Sequence, residues 1–508
     1  MTPVPRIACT APLIKHLLRV VVHETRRIMR ISTTLLALSF AISASSAGGA
    51  TFERVFGGAA LDHAASVEQT EDGGYILLGQ APSLGADPCL LKTDSLGNML
   101  WVIELETDCA QYSGFTVIQT ADGGYMALLS CWCCPRQARI LAVKTDPMGK
   151  KLWGRACRKT GTEYTWGNAI RQTQDGRYIL TGGVGLAPYL AMLSSRGELQ
   201  WEKTYSFGEE TQCRCVAEVK TGGYVAAGGR NDMFLMRTSR DGDLVWARTY
   251  GGPELDKAYW VEPAPDGGYV MTGYTESYGA GAKDVYLVKT DADGKTAWAR
   301  TYGTRFEEIG YSVQTTTGGG YIVVGTTGPV GAEDTDIYLV KTDSIGSPLW
   351  TRTYGGARTE KAYSVRQTAD GGYVFAGYTA SCGSGDFDAY LVKTDSLGLV
   401  TGARDAAVLS VNLPTGVLDT GSPCSVIGEI QNRSNKCISY TAVAFIEGVY
   451  ADTVLVQGHA PGTARQISFD DWIPRETGPT THTLTIYTDL EGDSDPTNDF
   501  AQKQITVR

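Results

Sequence analysis

Residues 350–398 read WTRTYGGARTEKAYSVRQTADGGYVFAGYTASCGSGDFDAYLVKTDSLG. Four short β-rich runs stand in this stretch: WTRTYG, AYSVRQT, YVFAGYT and DAYLVKT. ADGG and DSLG are tight turns between them, where Gly supplies the positive φ that hairpins require. The other two connections are longer and vary between copies. The unit recurs: Tyr75, Tyr125, Tyr178, Tyr224, Tyr269, Tyr321 and Tyr373 each follow a Gly-rich turn, at spacings of 50, 53, 46, 45, 52 and 52 residues. Four strands per unit at this period describe a propeller blade better than a solenoid coil.

The ends of the array set its topology. Trp101, Trp153, Trp201, Trp246, Trp298 and Trp350 each open a fourth strand, four residues after a turn Gly. The seventh unit ends at Gly398 and continues into LVTGARD, without a Trp. The missing strand stands at the other end, where TFERVFGG (51–58) matches WARTYGG with Phe52 in the Trp place. Complementary partial ends predict that the N-terminal strand completes the last unit and removes two exposed edges. The expected fold is all-β: a seven-bladed β-propeller over residues 48–402, followed by an immunoglobulin-like β-sandwich over 405–508. YLVK, YIVVG and YVFAG are nearly continuously apolar, as strands packed on both faces are. The repeated Trp side chains are expected to fill the space between blades.

The 508 residues are 43% hydrophobic and 20% charged, which excludes disorder for most of the chain. Residues 1–47 carry six Arg or Lys and one Glu, so the remainder of this chain of net charge -10 is more acidic still. A phosphate backbone would be repelled, and no nucleic-acid partner is expected. Residues 29–47, MRISTTLLALSFAISASSA, have the order of a secretory signal peptide: a basic start, an apolar stretch and small residues, with a cut after Ala47. Residues 1–47 are therefore read as leader and signal peptide, with Met29 an alternative start. No later apolar run has membrane length, so no membrane span is expected after signal removal. The expected address is secreted: periplasmic, extracellular or cell-surface.

Beyond Asp405 a different β pattern begins. VLSVNL, CSVIGEI, ISYTAVAFI, DTVLVQG, ARQISF, HTLTIYT and KQITV are separated by Gly, Pro, Asn and Asp turns, the pattern of a sandwich. With its Pro461-Gly462 turn, Phe469, Trp472 and closing DSDPTNDFAQKQITV, this region resembles the bacterial CARDB family of adhesion-related domains. The resemblance implies a spacer or adhesive module without catalytic residues.

Eleven of the 12 cysteines follow residue 47, and six fall within residues 89–157. Cys89, Cys109, Cys131, Cys133, Cys134 and Cys157 are read as a disulfide cluster on one face, since export favours disulfides over a thiolate metal site. CWCC lacks the paired spacing of structural zinc. Cys424 and Cys437 belong to opposite ends of adjoining strands and are expected not to pair. Asp87, Asp232, Asp284, Asp336 and Asp388 each precede a third strand, and Asp62, Asp256, Glu308 and Glu360 a first strand. A ring of calcium or cationic-ligand sites is one reading. Carboxylates accepting backbone N–H bonds at strand entries is the reading that repetition favours. Calcium is thus the one cofactor left open, and no catalytic or cofactor-binding residue is assigned.

LKTDSLGNMLW resembles the tryptophan-docking repeats of quinoprotein-like propellers, with the Asp-to-Gly spacing one residue shorter. The hairpin also resembles the Asp-box of sialidases, with both spacings one residue longer. Neither resemblance transfers an active site. His63, His459 and His482 are scattered, no Gly-x-Ser-x-Gly elbow occurs, and Gly294-Lys295-Thr296 has Lys289 where a phosphate loop needs Gly. The repeats are similar to uncharacterised tandem propeller repeats of secreted bacterial proteins. The expectation is a non-enzymatic binding or surface-interaction protein that offers a protein or glycan partner its upper loops, 79–87, 130–138, 274–283 and 379–387. The alternative is a propeller enzyme, either a quinone- or metal-dependent oxidoreductase or a glycan hydrolase.

Overall fold

The computed structural model describes residues 49–105, 112–132, 138–157, 165–185, 187–207, 211–229, 231–331, 334–402, 404–413, 418–447, 449–475, 479–491, 493–495 and 497–508. Among them the regular elements are β-strands, apart from one 3-10 turn at Pro82–Leu84. No helix among the described residues is long and apolar enough to cross a membrane.

The non-alternating apolar runs become strands covered on both faces: Tyr269–Thr275 and Asp284–Thr290 are buried at every position. Six antiparallel meanders of four strands follow one another, from His63–Gln69 in the first sheet to Pro348–Tyr354 in the sixth. In the seventh sheet, Glu360–Gln367, Tyr373–Thr379 and Asp388–Thr394 are completed by Phe52–Phe56 from the other end of the array. Phe52 faces Lys393 and Val55 faces Tyr390 in that pairing. The first strand of each sheet packs on the first strand of the next, and Glu360–Gln367 packs on His63–Gln69. This is the architecture of a β-propeller.

The recurrent polar residues of the repeat lock each sheet internally. Lys92 is buried, and its Nζ donates to Asp72 Oδ1 at 3.0 Å and to the Thr93 carbonyl at 2.8 Å. Lys144, Lys289 and Lys393 meet Asp122, Asp266 and Asp370 in the same way. Gly74, the second Gly of the turn, is needed for close approach, since a Cβ there would lie 2.2 Å from the Thr93 carbonyl oxygen.

Aromatic pairs join neighbouring sheets. Trp101 packs on Tyr125 at 6.0 Å between ring centroids, and Trp350 on Tyr373 at 5.8 Å. Phe52 meets Tyr75 at 5.8 Å, so the N-terminal strand supplies the same contact between the seventh sheet and the first. The six Trp side chains are only half-buried, because the fourth strand is the outer edge of its sheet, whereas Phe52 is 1% exposed. Further bonds cross between the first and last sheets: Ser364 Oγ donates to the Val67 carbonyl at 3.3 Å, and the Ala369 N–H to Gln69 Oε1 at 2.8 Å.

The seven C-terminal strands form two antiparallel sheets. One holds Ala406–Asn412, Ile427–Asn432 and Ala464–Ser468. The other runs Tyr450–His459, Ile438–Ile446, Thr480–Asp489, Phe500–Val507 in spatial order. Ile430, Tyr440, Phe469, Trp472 and Leu484 are among the core they share. Cys424 is a free, buried thiol. Cys437 is bonded instead to Cys382, in the loop before the last third strand of the array. Around that bond the Glu53 N–H donates to the Asn435 carbonyl at 2.8 Å, Asn435 Nδ2 to the Thr51 carbonyl at 2.7 Å, and Arg465 to the Gly383 carbonyl at 2.7 Å. The C-terminal region therefore holds the N-terminal strand at Thr51 and Glu53 and also the loop that leads into its partner strand.

Phe52→Ala is expected to cost about 3–4 kcal/mol, read from the urea midpoint at constant m-value, and Trp298→Ala less because its ring is half-exposed. Cys382→Ser removes a crosslink closing a loop of 55 residues and is expected to lower stability by about 2–4 kcal/mol in the same measurement.

Candidate functional site

Each first strand slips register by one residue at the same point. The slip lies between Ala64 and Ser66 in the first sheet, Ala258 and Trp260 in the fifth, and Ala362 and Ser364 in the seventh. The second, third, fourth and sixth sheets have it at Gly114/Thr116, Gly167/Ala169, Cys213/Cys215 and Gly310/Ser312. A bulge of this kind re-aims one side chain while the ladder continues on either side. The bulged residues are Ala65, Phe115, Asn168, Arg214, Tyr259, Tyr311 and Tyr363. The partner strand approaches closely at this point: a Cβ on Gly273 would lie 1.7 Å from the Lys257 carbonyl oxygen, and one on Gly377 1.7 Å from that of Lys361.

Ala65, Asn168, Arg214, Tyr259, Tyr311 and Tyr363 line one cavity of about 540 Å³, together with His63, Trp260, Tyr378 and Phe387. Its wall is a run of tyrosines. Tyr259 and Tyr311 pack edge to face at 5.1 Å, and Tyr311 and Tyr363 likewise at 5.1 Å. Tyr378 continues the wall 6.2 Å from Tyr363, and Phe387 stands 4.8 Å from Tyr378. Burial pushes the Tyr259, Tyr311 and Tyr363 phenols up, so all three are neutral at pH 7. Burial also pushes the His63 imidazole down against the pull of Asp87 and Asp62. The Arg214 guanidinium lies 5.5 Å from the Tyr259 ring centroid.

A charge-balanced layer lies beyond Trp260. Its ring stands between Arg171 at 4.7 Å and Arg366 at 5.1 Å, and its Nε1–H donates to Glu262 at 2.8 Å. Arg171 approaches Glu262 at 3.5 Å. Burial raises the Glu68 carboxyl, while Arg366 and Arg171 lower it. Glu68, Arg171, Glu262 and Arg366 each stand three residues after a bulged position, so the same repeat register that builds the cavity builds this layer.

The residues singled out from the sequence lie elsewhere. The six Trp residues and Phe52 hold sheet to sheet on outer strands, and none lines the cavity. Most of the repeated carboxylates brace loops. Asp62 accepts the N–H of Gly58 at 3.0 Å and of Ser83 at 3.1 Å. Asp284 accepts from Ala280 and Gly281, each at 3.0 Å, Glu360 from Gly356 at 2.8 Å, and Asp388 from Ser384 at 2.9 Å. Asp87 accepts from the Gln80 side chain at 3.0 Å. Asp232 immediately precedes its third strand, Met233–Thr238. Among the described residues no group of three or more His, Cys, Asp or Glu is placed to hold a metal.

The cysteine reading needs correction. Cys89 and Cys157 are free thiols with pKa values pushed up to about 12 by burial, and Cys131 is buried too. Cys109, Cys133 and Cys134 lie outside the described residues. Among the described residues a disulfide, Cys382–Cys437, joins loop 379–387 to the C-terminal region, so this loop is held. Sequence reasoning also missed the bulged residues. Their signal was present: each stands ten residues before a repeat Tyr, as Ala65 does before Tyr75 and Tyr363 before Tyr373, and varies while its preceding neighbour stays small.

No family model matches the chain, and no curated protein matches it. Among solved structures, the Pan2 WD40 domain of Neurospora crassa is 9% identical, with 67% of this chain and 92% of that chain covered at a TM-score of 0.44. YCF48 bound to D1 peptide is 11% identical, with 71% and 99% covered at 0.44. The CARDB domain of the PF1109 protein from Pyrococcus furiosus, in complex with di-metal ions, is 18% identical over 21% of this chain and 90% of that chain, at 0.18.

Two carboxyls, the buried Asp388 and the half-buried Asp336, give the fold a pH response. Burial pushes Asp388 up to about 7, helped by Asp62 and opposed by Arg465, and pushes Asp336 up to about 6, helped by Glu360. Both ionise near the ordinary carboxylate value when unfolded, so between about pH 4 and 7 the folded chain holds protons that the unfolded chain has lost. These two groups therefore add stability as pH falls from 8 to 5, against the opposite contribution of the depressed His459 and His63 rings, and Asp388→Asn is expected to remove its share, lowering the thermal midpoint at pH 5 relative to that at pH 8 compared with the wild type.

Proposed function

We propose that the seven four-stranded sheets are the blades of one seven-bladed propeller closed by the N-terminal strand, and that the C-terminal strands are an immunoglobulin-like module of CARDB type. On this reading the chain is an exported, non-enzymatic binding or surface-interaction protein, with a protein or glycan partner at the cell surface. The observation that carries it is the tyrosine-walled cavity. It is concave, largely apolar, built from rigid strands and provided with a few polar groups, the combination that ligand sites use. Residues that vary between units are concentrated on a scaffold of otherwise repeated residues.

The reading is tested by screening the purified full chain against glycans, surface polymers, metals and quinones. A ligand is expected to bind with an affinity that Tyr311→Ala lowers about tenfold or more while the fold persists by circular dichroism. Turnover of any of these compounds at an enzymatic rate overturns the non-enzymatic reading. Binding that Tyr311→Ala leaves unchanged overturns the cavity as the site.

A further inference from the structure

The charge balance inside the cavity points to the chemical class of its ligand. Among the described lining residues, Asp62, His63 and Arg214 have side chains that can carry charge. Asp62 is already engaged, with one carboxylate oxygen accepting from Gly58 and the other from Ser83. Burial holds the His63 ring in its neutral form at pH 7. Arg214 is different. Among the described residues no carboxylate pairs with its guanidinium, which is half-buried and lies against the Tyr259 ring. The cations nearby are not in that position. Arg171 approaches Glu262 at 3.5 Å, and Lys283 is bonded to Glu307 at 3.0 Å. Asp284 accepts from the N–H groups of Ala280 and Gly281, and one oxygen of Asp256 accepts from the Gly252 N–H and the Ser277 hydroxyl.

A guanidinium offers a planar fork of N–H donors that matches a carboxylate in two parallel bonds, and it is strongest where water is scarce. Tyrosine rings beside it supply apolar surface for a flat or chair-shaped ring. The volume of about 540 Å³ lies in the range of small-molecule sites and is a fit for a compact ligand.

We propose that the tyrosine-walled cavity binds a compact ring compound bearing a carboxylate, with the ring against Tyr259, Tyr311 and Tyr363 and the carboxylate held by the Arg214 fork. The assignment rests on the reading of the cavity as the ligand site. Two sources share this chemistry, an acidic sugar and an aromatic acid, and matched pairs of probes separate them.

Isothermal titration of the purified full chain uses D-glucuronate against D-glucose and benzoate against benzyl alcohol, with the wild type, Arg214→Met and Arg214→Lys. One acid is expected to bind about tenfold or more tightly than its neutral counterpart, and the pair in which this occurs identifies the source. Arg214→Met is expected to erase the preference, and Arg214→Lys to keep part of it, since an ammonium retains the charge without the fork. If Arg214→Met does not fold, the wild-type acid-to-neutral ratio and Arg214→Lys still decide. Neutral probes that bind as tightly as the acids, or a preference that survives Arg214→Met, overturn the carboxylate assignment and leave the cavity reading standing. Failure of all four probes at millimolar concentration also overturns it, while the Tyr311→Ala comparison on a ligand from the wider screen decides separately on the cavity.

Discussion

A four-stranded meander exposes two edges, and the strand that begins an array of such meanders has no partner of its own. Here Phe52–Phe56 pairs with Asp388–Thr394, and that one ladder joins the first repeat to the last. The rest of the molecule depends on it. Phe52 can meet Tyr75 only if the ladder is formed, and the bonds from Ser364 to Val67 and from Ala369 to Gln69 span the same junction. The C-terminal strands add their own constraint there. Asn435 bonds to the Glu53 N–H and the Thr51 carbonyl, and Cys437 is covalently tied to the loop beside the paired strand.

The consequence for a binding site is rigidity where diversity is needed. A bulge at one register position of each first strand frees one side chain from the ladder without loosening its neighbours. The repeat can then carry Ala65 in one sheet, Arg214 in another and Tyr311 in a third without altering the sheets themselves. The glycines opposite the bulge explain a feature of the second strands that looks like simple repetition in the sequence. They let the bulged backbone come within a distance that no Cβ would tolerate. Three residues further along, Glu68, Arg171, Glu262 and Arg366 occupy one register, with Arg171, Glu262 and Arg366 set against Trp260.

The fold was legible for a physical reason: hairpin turns, apolar strand runs and inter-sheet aromatics act locally or at a constant period. Asp72 and Lys92 are 20 residues apart, as far as Asp370 and Lys393 within a few residues, so their bond repeats wherever the unit does. The matching of Phe52 to the repeated Trp was legible because it completes a pattern. The cavity was less so, since a bulge in a strand of six to nine residues leaves a weak trace. The cysteines misled for another reason. Proximity in sequence grouped Cys89 with Cys157, whereas both thiols are enclosed in strands and the bond forms between residues 55 apart.

Taken alone, the order of residues determined the all-β class, the repeat and its register, and the strand that joins the ends. Those features depend on periodic burial and on turns that a few neighbouring residues specify. Tertiary structure alone decided which side chains meet at long range: the tyrosine wall, Arg214 against the Tyr259 ring, and the link from Cys382 to Cys437. Each is a meeting of residues from separate sheets, and the distance between them in space is set by packing and not by their separation along the chain.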